Sequence, residues 1–177
     1  MKFMNDITNK KSYMKSIFLL SLLAICSSIQ AQELPTIPAP GFAFPLGSKF
    51  TIKLFPTDSI YFNYSVVAFE QFDKTIDTWD NDNLFDNIGQ DSTITFYFCL
   101  GTHGDNDKER KENMQVLLLM KNYSKMALKY SSEIQTKENG EFEPTSNVGT
   151  FPGAKGMEMW PYMIYMIGLR EFQAYDK

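Results

Sequence analysis

Two cysteines and one histidine are all that 177 residues offer in thiol and imidazole chemistry, and the shortage rules out a good deal. Cys26 lies in the N-terminal leader, so beyond that leader only Cys99 remains and no internal disulfide can staple the fold, which must stand on an apolar core. A Ser-His-Asp triad has only His103 to recruit, and no G-x-S-x-G elbow is present. Zinc sites need three or four His, Cys or carboxylate ligands in fixed geometry, which one histidine does not supply. No glycine-rich phosphate loop occurs. The one basic cluster, KERK at 108–111, is cancelled by Asp107 and Glu112 on either side.

Long apolar runs are missing as well. The leader carries Lys2, Lys10, Lys11 and Lys15 and then nine residues, IFLLSLLAI, from Ile17 to Ile25. A membrane span needs about 20 such residues, whereas a basic start followed by about 7–15 apolar residues is the pattern of a secretory signal. The expectation is a signal peptide over 1–31, cut after Ala31, with Gln32 as the mature start and an extracytoplasmic, periplasmic or secreted product. Translation from Met14 would give a leader of more ordinary length. A lipoprotein acylated at Cys26 would need a small residue before it, and bulky Ile25 argues against that. Four lysines and one aspartate lie in 1–31, so the net charge of −4 becomes −7 over the remaining 146 residues. Nucleic acid and anionic lipid are bound by neutralising phosphates with Lys and Arg, so neither is an expected partner.

What the sequence does have is alternation. Residues 32–48 read as a Pro-rich extended spacer, with four prolines in LPTIPAPGFAFPL. From Lys49 apolar residues recur at every second position, the period of a half-buried strand. Phe50, Ile52 and Leu54 share one side; so do Ile60, Phe62, Tyr64, Val66 and Ala68, and then Ile94, Phe96, Phe98 and Leu100 against Thr93, Thr95, Tyr97 and Cys99. The run NMQVLLLMK-NYS-KMALKYSSEIQ reads as a hairpin setting Met114, Val116, Leu118 and Met120 against Met126, Leu128, Tyr130 and Ile134. Pro56 to Asp58, Gly101 to Gly104 and Asn139-Gly140 mark turns.

The sticky stretch GMEMWPYMIYMIGLREF, 156–172, is broken by Pro161 and Gly168 and is too short to span a bilayer. It reads as a final core strand with Met163, Tyr165, Ile167 and Leu169 inward, introduced by a Trp-Pro corner, with a helical turn over 161–166 or a binding surface on Tyr162, Ile164 and Met166 as alternatives. About seven short strands and no convincing long helix predict an all-β fold: an antiparallel two-sheet β-sandwich, immunoglobulin-like, as a single domain over 49–177.

DTWDNDNLF, QVLLLMKNYSKMALKYSSEI, FEPTSNVGTFPGAKGMEMWPYMI and IGLREF resemble segments of small secreted β-sandwich proteins of Gram-negative bacteria, in which a Trp-Pro pair precedes the final strand. The resemblance covers about 60–172. It implies fold and location and transfers no catalytic residue.

Two polar loops are the candidate sites. Residues 70–91 hold seven carboxylates against one lysine, and crowded carboxylates become stable together around a cation. Asp80, Asp82 and Asp86 fall at the first, third and seventh positions of an EF-hand-like loop, which makes calcium the candidate ion. Leu84 and Phe85 stand where that loop needs an oxygen ligand and a glycine, so the competing reading is a solvated acidic loop over one end of the sandwich, anchored by Trp79, Leu84, Phe85 and Ile88. Residues 101–113 read as an exposed hairpin loop in which His103, Asp105 and Asp107 offer at most a partial metal site. A Cys99–His103 thiolate pair is the remaining nucleophilic option.

The expectation that follows is a non-catalytic binding or accessory module without a resident cofactor, recognising a protein or glycan through its loops with Trp79, Phe85 and Tyr162 as gripping aromatics. The alternatives are a structural or assembly component pairing through the C-terminal strand, and a small hydrolase that would need a groove bringing two carboxylates together.

Overall fold

The computed structural model describes residues 34–175. The signal peptide, its cleavage point, Cys26 and the choice of start all lie outside the described residues. Ten strands are present there: β1 (Gly41–Pro45), β2 (Ser48–Pro56), β3 (Tyr61–Gln71), β4 (Ile76–Asp77), β5 (Thr93–Thr102), β6 (Gln115–Asn122), β7 (Leu128–Gln135), β8 (Glu143–Thr145), β9 (Lys155–Trp160) and β10 (Met166–Ala174), with one short α-helix, α1 (Asp107–Glu112), and a single 3-10 turn at Asp82–Leu84. The all-β, antiparallel expectation holds, the two-residue parallel pair β4–β5 apart. The strands are more numerous than expected and join in one hydrogen-bonded sheet, in the order β8-β7-β10-β3-β2-β5-β6-β9, which curls into a half-barrel around its own core.

The inward row is the alternation of the sequence made physical. Phe50, Ile52, Tyr64, Phe96, Phe98, Leu118, Met120, Ile167 and Leu169 are all fully covered. Burying an aromatic or branched aliphatic side chain of this kind contributes about 2 kcal/mol, so this row holds the curl together. Tyr130 stacks on Phe172 at 5.0 Å and donates from its hydroxyl to the Met120 sulfur at 3.4 Å, which brings β7 and β6 face to face across the core.

That contact corrects the hairpin expected between β6 and β7. The two strands do not pair: β6 lies between β5 and β9, and β7 between β10 and β8. Between them the chain turns a corner, in which the Asn122 side chain accepts from Ser124 N–H at 2.8 Å and donates to the Met126 carbonyl oxygen at 2.9 Å. Both Asn122 and Ser124 are buried and satisfied, so the corner is stable inside the fold rather than on a hairpin tip.

The Pro-rich stretch is also more than a spacer. Phe42 and Phe44 belong to β1, which pairs with β10, and Phe44 is buried and stacked on Phe50. The folded unit therefore begins well before Lys49. Pro40 precedes β1 and Pro45 ends it, positions where no ladder hydrogen bond is lost.

Register shifts move several side chains from their expected sides. Val67 bulges out of β3, since Thr51 pairs with Ala68 and Ile52 with Val66. In β10 the pairing jumps between Arg170 and Gln173, with Glu171 at φ +58°, so that Phe172 rather than a residue in simple alternation reaches the core. Before β10, Ile164 is fully buried, whereas Tyr162, Met163 and Tyr165 are exposed. The proposed surface of Tyr162, Ile164 and Met166 is thereby broken at its centre.

Candidate functional site

The outer sides of β5 and β6 are covered too. Tyr97, Cys99, Leu117 and Leu119 form a second apolar cluster with Phe85 on the far side of the sheet from the main core. The segment after β4 covers it. From Thr78, whose N–H donates to the Thr102 carbonyl, the chain doubles back and reaches β5 again at Ser92–Thr93, forming a strap across the sheet face. The acidic loop is therefore not a lid on one end of the fold. Five consecutive apolar residues in β6, VLLLM, carried the sign of burial on both sides, and alternation alone concealed it.

Each anchor of the strap has a local cause. Asp77 accepts from Trp79 N–H at 2.8 Å and from Asp80 N–H at 2.9 Å, and these two backbone donors hold its carboxyl below the usual range. Asn81 is buried and donates to the Thr78 carbonyl at 2.7 Å. Phe85 meets the Tyr97 ring edge-on at 5.1 Å, and the Tyr97 hydroxyl donates to the Leu84 carbonyl at 2.6 Å. Gly89 passes so close over Tyr123 that a Cβ would lie 2.3 Å from the ring, and the Tyr123 hydroxyl donates to the Asp86 carbonyl at 2.8 Å. Of the four expected anchors Leu84 and Phe85 serve; Trp79 and Ile88 face solvent, at 59% and 88% exposure.

Beneath the strap lies a cavity of about 200 Å³ lined by Lys49, Thr51, Thr95, Tyr97, Asp86 and Tyr123 among others. Thr51 and Thr95 share a hydrogen bond at 2.9 Å. Burial pulls the Lys49 ammonium down, but Tyr97 and Glu70, the latter 3.5 Å away, outweigh it and leave the group above its ordinary value. The cavity thus offers one cation, one carboxylate and several hydroxyls. At this size it is smaller than a typical ligand site of about 300–1,000 Å³, and suits a group protruding from a larger partner.

Trp79 stands at the head of the strap with its ring 5.8 Å from that of His103, so the two polar loops of the sequence meet there. Loop 101–113 contains α1 where only an exposed hairpin loop was expected. Its N-terminus is closed by Asn106, which accepts from Lys108 and Glu109 N–H, while Glu109 accepts from Asp105 N–H at 2.9 Å; the N-x-x-E spacing was the legible signal. Tyr162 is exposed on the turn between β9 and β10 and lines neither this cavity nor the groove described next. Phe85 is buried and lines the strap cavity, so it positions the strap rather than standing out from the surface.

Asp80, Asp82 and Asp86 are not gathered around a point: among the described residues no group of three His, Cys, Asp or Glu side chains is placed to hold a metal. Asp82 instead pairs with Lys155, which lowers its pKa. Cys99 is fully covered, and burial pushes its thiol up to about 12, which removes it as a nucleophile.

A second depression escaped sequence reasoning. It lies on the outer side of β1, β10 and β7, measures about 450 Å³, and is lined by Gly41, Phe42, Gly168, Arg170, Glu133 and Phe142 among others. Arg170 pairs with Glu133 at 2.6 Å, and Glu171 accepts from the Ser131 hydroxyl at 2.6 Å. Two carboxylates thus share one groove. The pair of adjacent charges closing the run IGLREF was the only hint.

No protein-family model, curated protein or solved structure matches the chain.

Proposed function

We propose that this protein is an exported, non-catalytic binding module that takes a protruding group of a protein or glycan partner at the strap and the adjoining loop 101–113. One observation carries the reading: a small cavity rich in hydroxyls, roofed by a strap that Leu84 and Phe85 pin to the sheet, with Trp79 exposed at the head of the same strap. Rigid sheets that present exposed aromatics on loops are suited to recognition. Export rests on the leader pattern. The halves β8-β7-β10-β3 and β2-β5-β6-β9 face each other as the layers of a sandwich do, and this supports reading the curl as an immunoglobulin-like variant. The Trp160-Pro161 pair ahead of β10 supports kinship with the secreted β-sandwich proteins.

The test is capture of partners from the extracytoplasmic fraction and on a glycan array, with the native protein beside Trp79→Ala and Lys49→Met. The expected result is a partner retained by the native protein and lost by both variants at unchanged melting temperature. Retention by both variants would overturn the reading.

The assembly alternative finds no open edge on β10, which is bonded by β7 on one side and by β1 and β3 on the other. The hydrolase alternative has one observation in its favour, the shared groove of Glu133 and Glu171, but Arg170 and Ser131 already engage those carboxylates.

A further inference from the structure

The groove over β1, β10 and β7 is built from register. Ala43, Gly168 and Glu133 form one outward row across the three strands, and Gly41, Arg170 and Ser131 form the next. Small residues at Ala43, Gly41 and Gly168 leave the floor low. Phe142 walls it: a Cβ on Gly168 would lie 3.8 Å from the Phe142 ring. The bulge that places Glu171 at φ +58° puts two charged residues in succession, Arg170 and Glu171, along the groove, and bulges commonly re-aim side chains at binding sites. A left-handed backbone at a non-glycine residue is strained and persists only where the surroundings impose it.

We infer that this groove binds a neutral saccharide. Its volume of about 450 Å³ falls within the range of a small-ligand site and suits one or two sugar rings. The glycine floor and the Phe142 ring offer an apolar bed for the C–H face of a pyranose. Glu133 and Glu171 accept from hydroxyls, and the flat Arg170 guanidinium donates to them in a fixed fork. A purely apolar ligand would leave these charged groups desolvated, which costs more than the contact returns. β7 and β10 are each bonded on both sides, so neither offers an edge to a peptide adding itself as a strand. Two carboxylates and one guanidinium leave the groove itself with an excess negative charge, on a chain of net charge −4, so uronic or sulfated sugars are repelled. The site is separate from the strap cavity, and the inference stands or falls without it.

The experiment is saturation-transfer NMR and calorimetry on the full product of expression, with maltose, cellobiose, lactose and diacetylchitobiose as neutral probes and digalacturonate as the anionic one. Expected is millimolar or tighter binding of at least one neutral probe, with Gly168→Val filling the floor and Phe142→Ala removing the wall, each weakening it by about tenfold or more. Gly168 lies within a strand and outside the left-handed region, so valine there is conformationally allowed. Melting temperatures within about 2 °C of the native protein would show that both variants fold. Lys49→Met, which alters the strap cavity, is expected to leave the sugar bound. The inference is overturned by silence from every neutral probe at ~10 mM, by equal affinity in the two groove variants, by loss in Lys49→Met alone, or by preference for digalacturonate.

Discussion

Lys155 Nζ donates to Asn81 Oδ1 at 2.9 Å, and this contact joins β9, the last strand of the sheet, to the strap laid over its neighbours. The same ammonium pairs with Asp82, whose side chain is almost wholly exposed. The two partners differ in what their loss costs. An exposed ion pair contributes about 0–1 kcal/mol, whereas a buried acceptor left unsatisfied costs about 1–3 kcal/mol. Lys155→Ala is therefore expected to lower stability by about 1–2 kcal/mol and Asp82→Ala to leave it nearly unchanged, read from urea midpoints. Equal losses would place the weight on the ion pair instead.

Tyr64 stands where β10 parts from β3 and β1 takes over. Its hydroxyl donates to the Leu169 carbonyl at 2.5 Å and accepts from Phe42 N–H at 2.8 Å, and burial raises its pKa far above the usual phenol value. Tyr64→Phe keeps the ring and orphans both backbone groups. A loss of about 2 kcal/mol is expected in thermal or urea unfolding. A variant as stable as the native protein would show that the three strands close without this bridge.

Glu158 is expected to make stability depend on pH. Burial raises its pKa, although the carboxylate accepts from Val148 N–H at 2.9 Å. In the window between the ordinary carboxylate value and the raised native one, the folded state binds more protons than the unfolded state. This group's contribution is therefore full below that window and is lost as pH rises through it. Glu158→Gln retains an oxygen for Val148 and removes the charge. The variant is expected to melt higher than the native protein at pH 7, with the gap closing near pH 4; a constant gap would count against burial as the cause.

Cys99 lies beneath the strap and should be inert. In a Cys26→Ala background, Ellman's reagent is expected to label nothing in the folded protein and one equivalent in denaturant. Phe85→Ala removes the ring that packs in the same cluster. It should cost about 3 kcal/mol and speed the labelling of Cys99 at denaturant concentrations where the sheet remains folded. Labelling that tracks global unfolding in both proteins would mean that the strap does not open by itself.

The strand positions were legible because alternation is a local property: a residue and its second neighbour point the same way whatever the strand pairs with. The partners were not legible. β6 and β7 have the lengths and the short link of a hairpin, yet buried Asn122 and Ser124 satisfy a corner that sends the chain across the core. The bulges at Val67 and Glu171 shift a side by one residue, and no pattern of period two announces such a step. The acidic run of 70–91 was visible, but its apolar members decide its place, since Leu84 and Phe85 bury against Tyr97 and leave the carboxylates spread along the surface.

The sequence by itself determined that this is an all-β chain with an aromatic and aliphatic core and no disulfide in it, because period and composition bind each residue to its neighbours along the chain. Only the tertiary structure decided that the strands form one curled sheet, that a strap seals its outer face, and that Arg170, Glu133 and Phe142 meet over a glycine floor. Those are contacts between residues far apart in sequence. They depend on how much apolar surface each pairing hides and on which buried polar groups it satisfies, and that balance is struck over the whole fold at once.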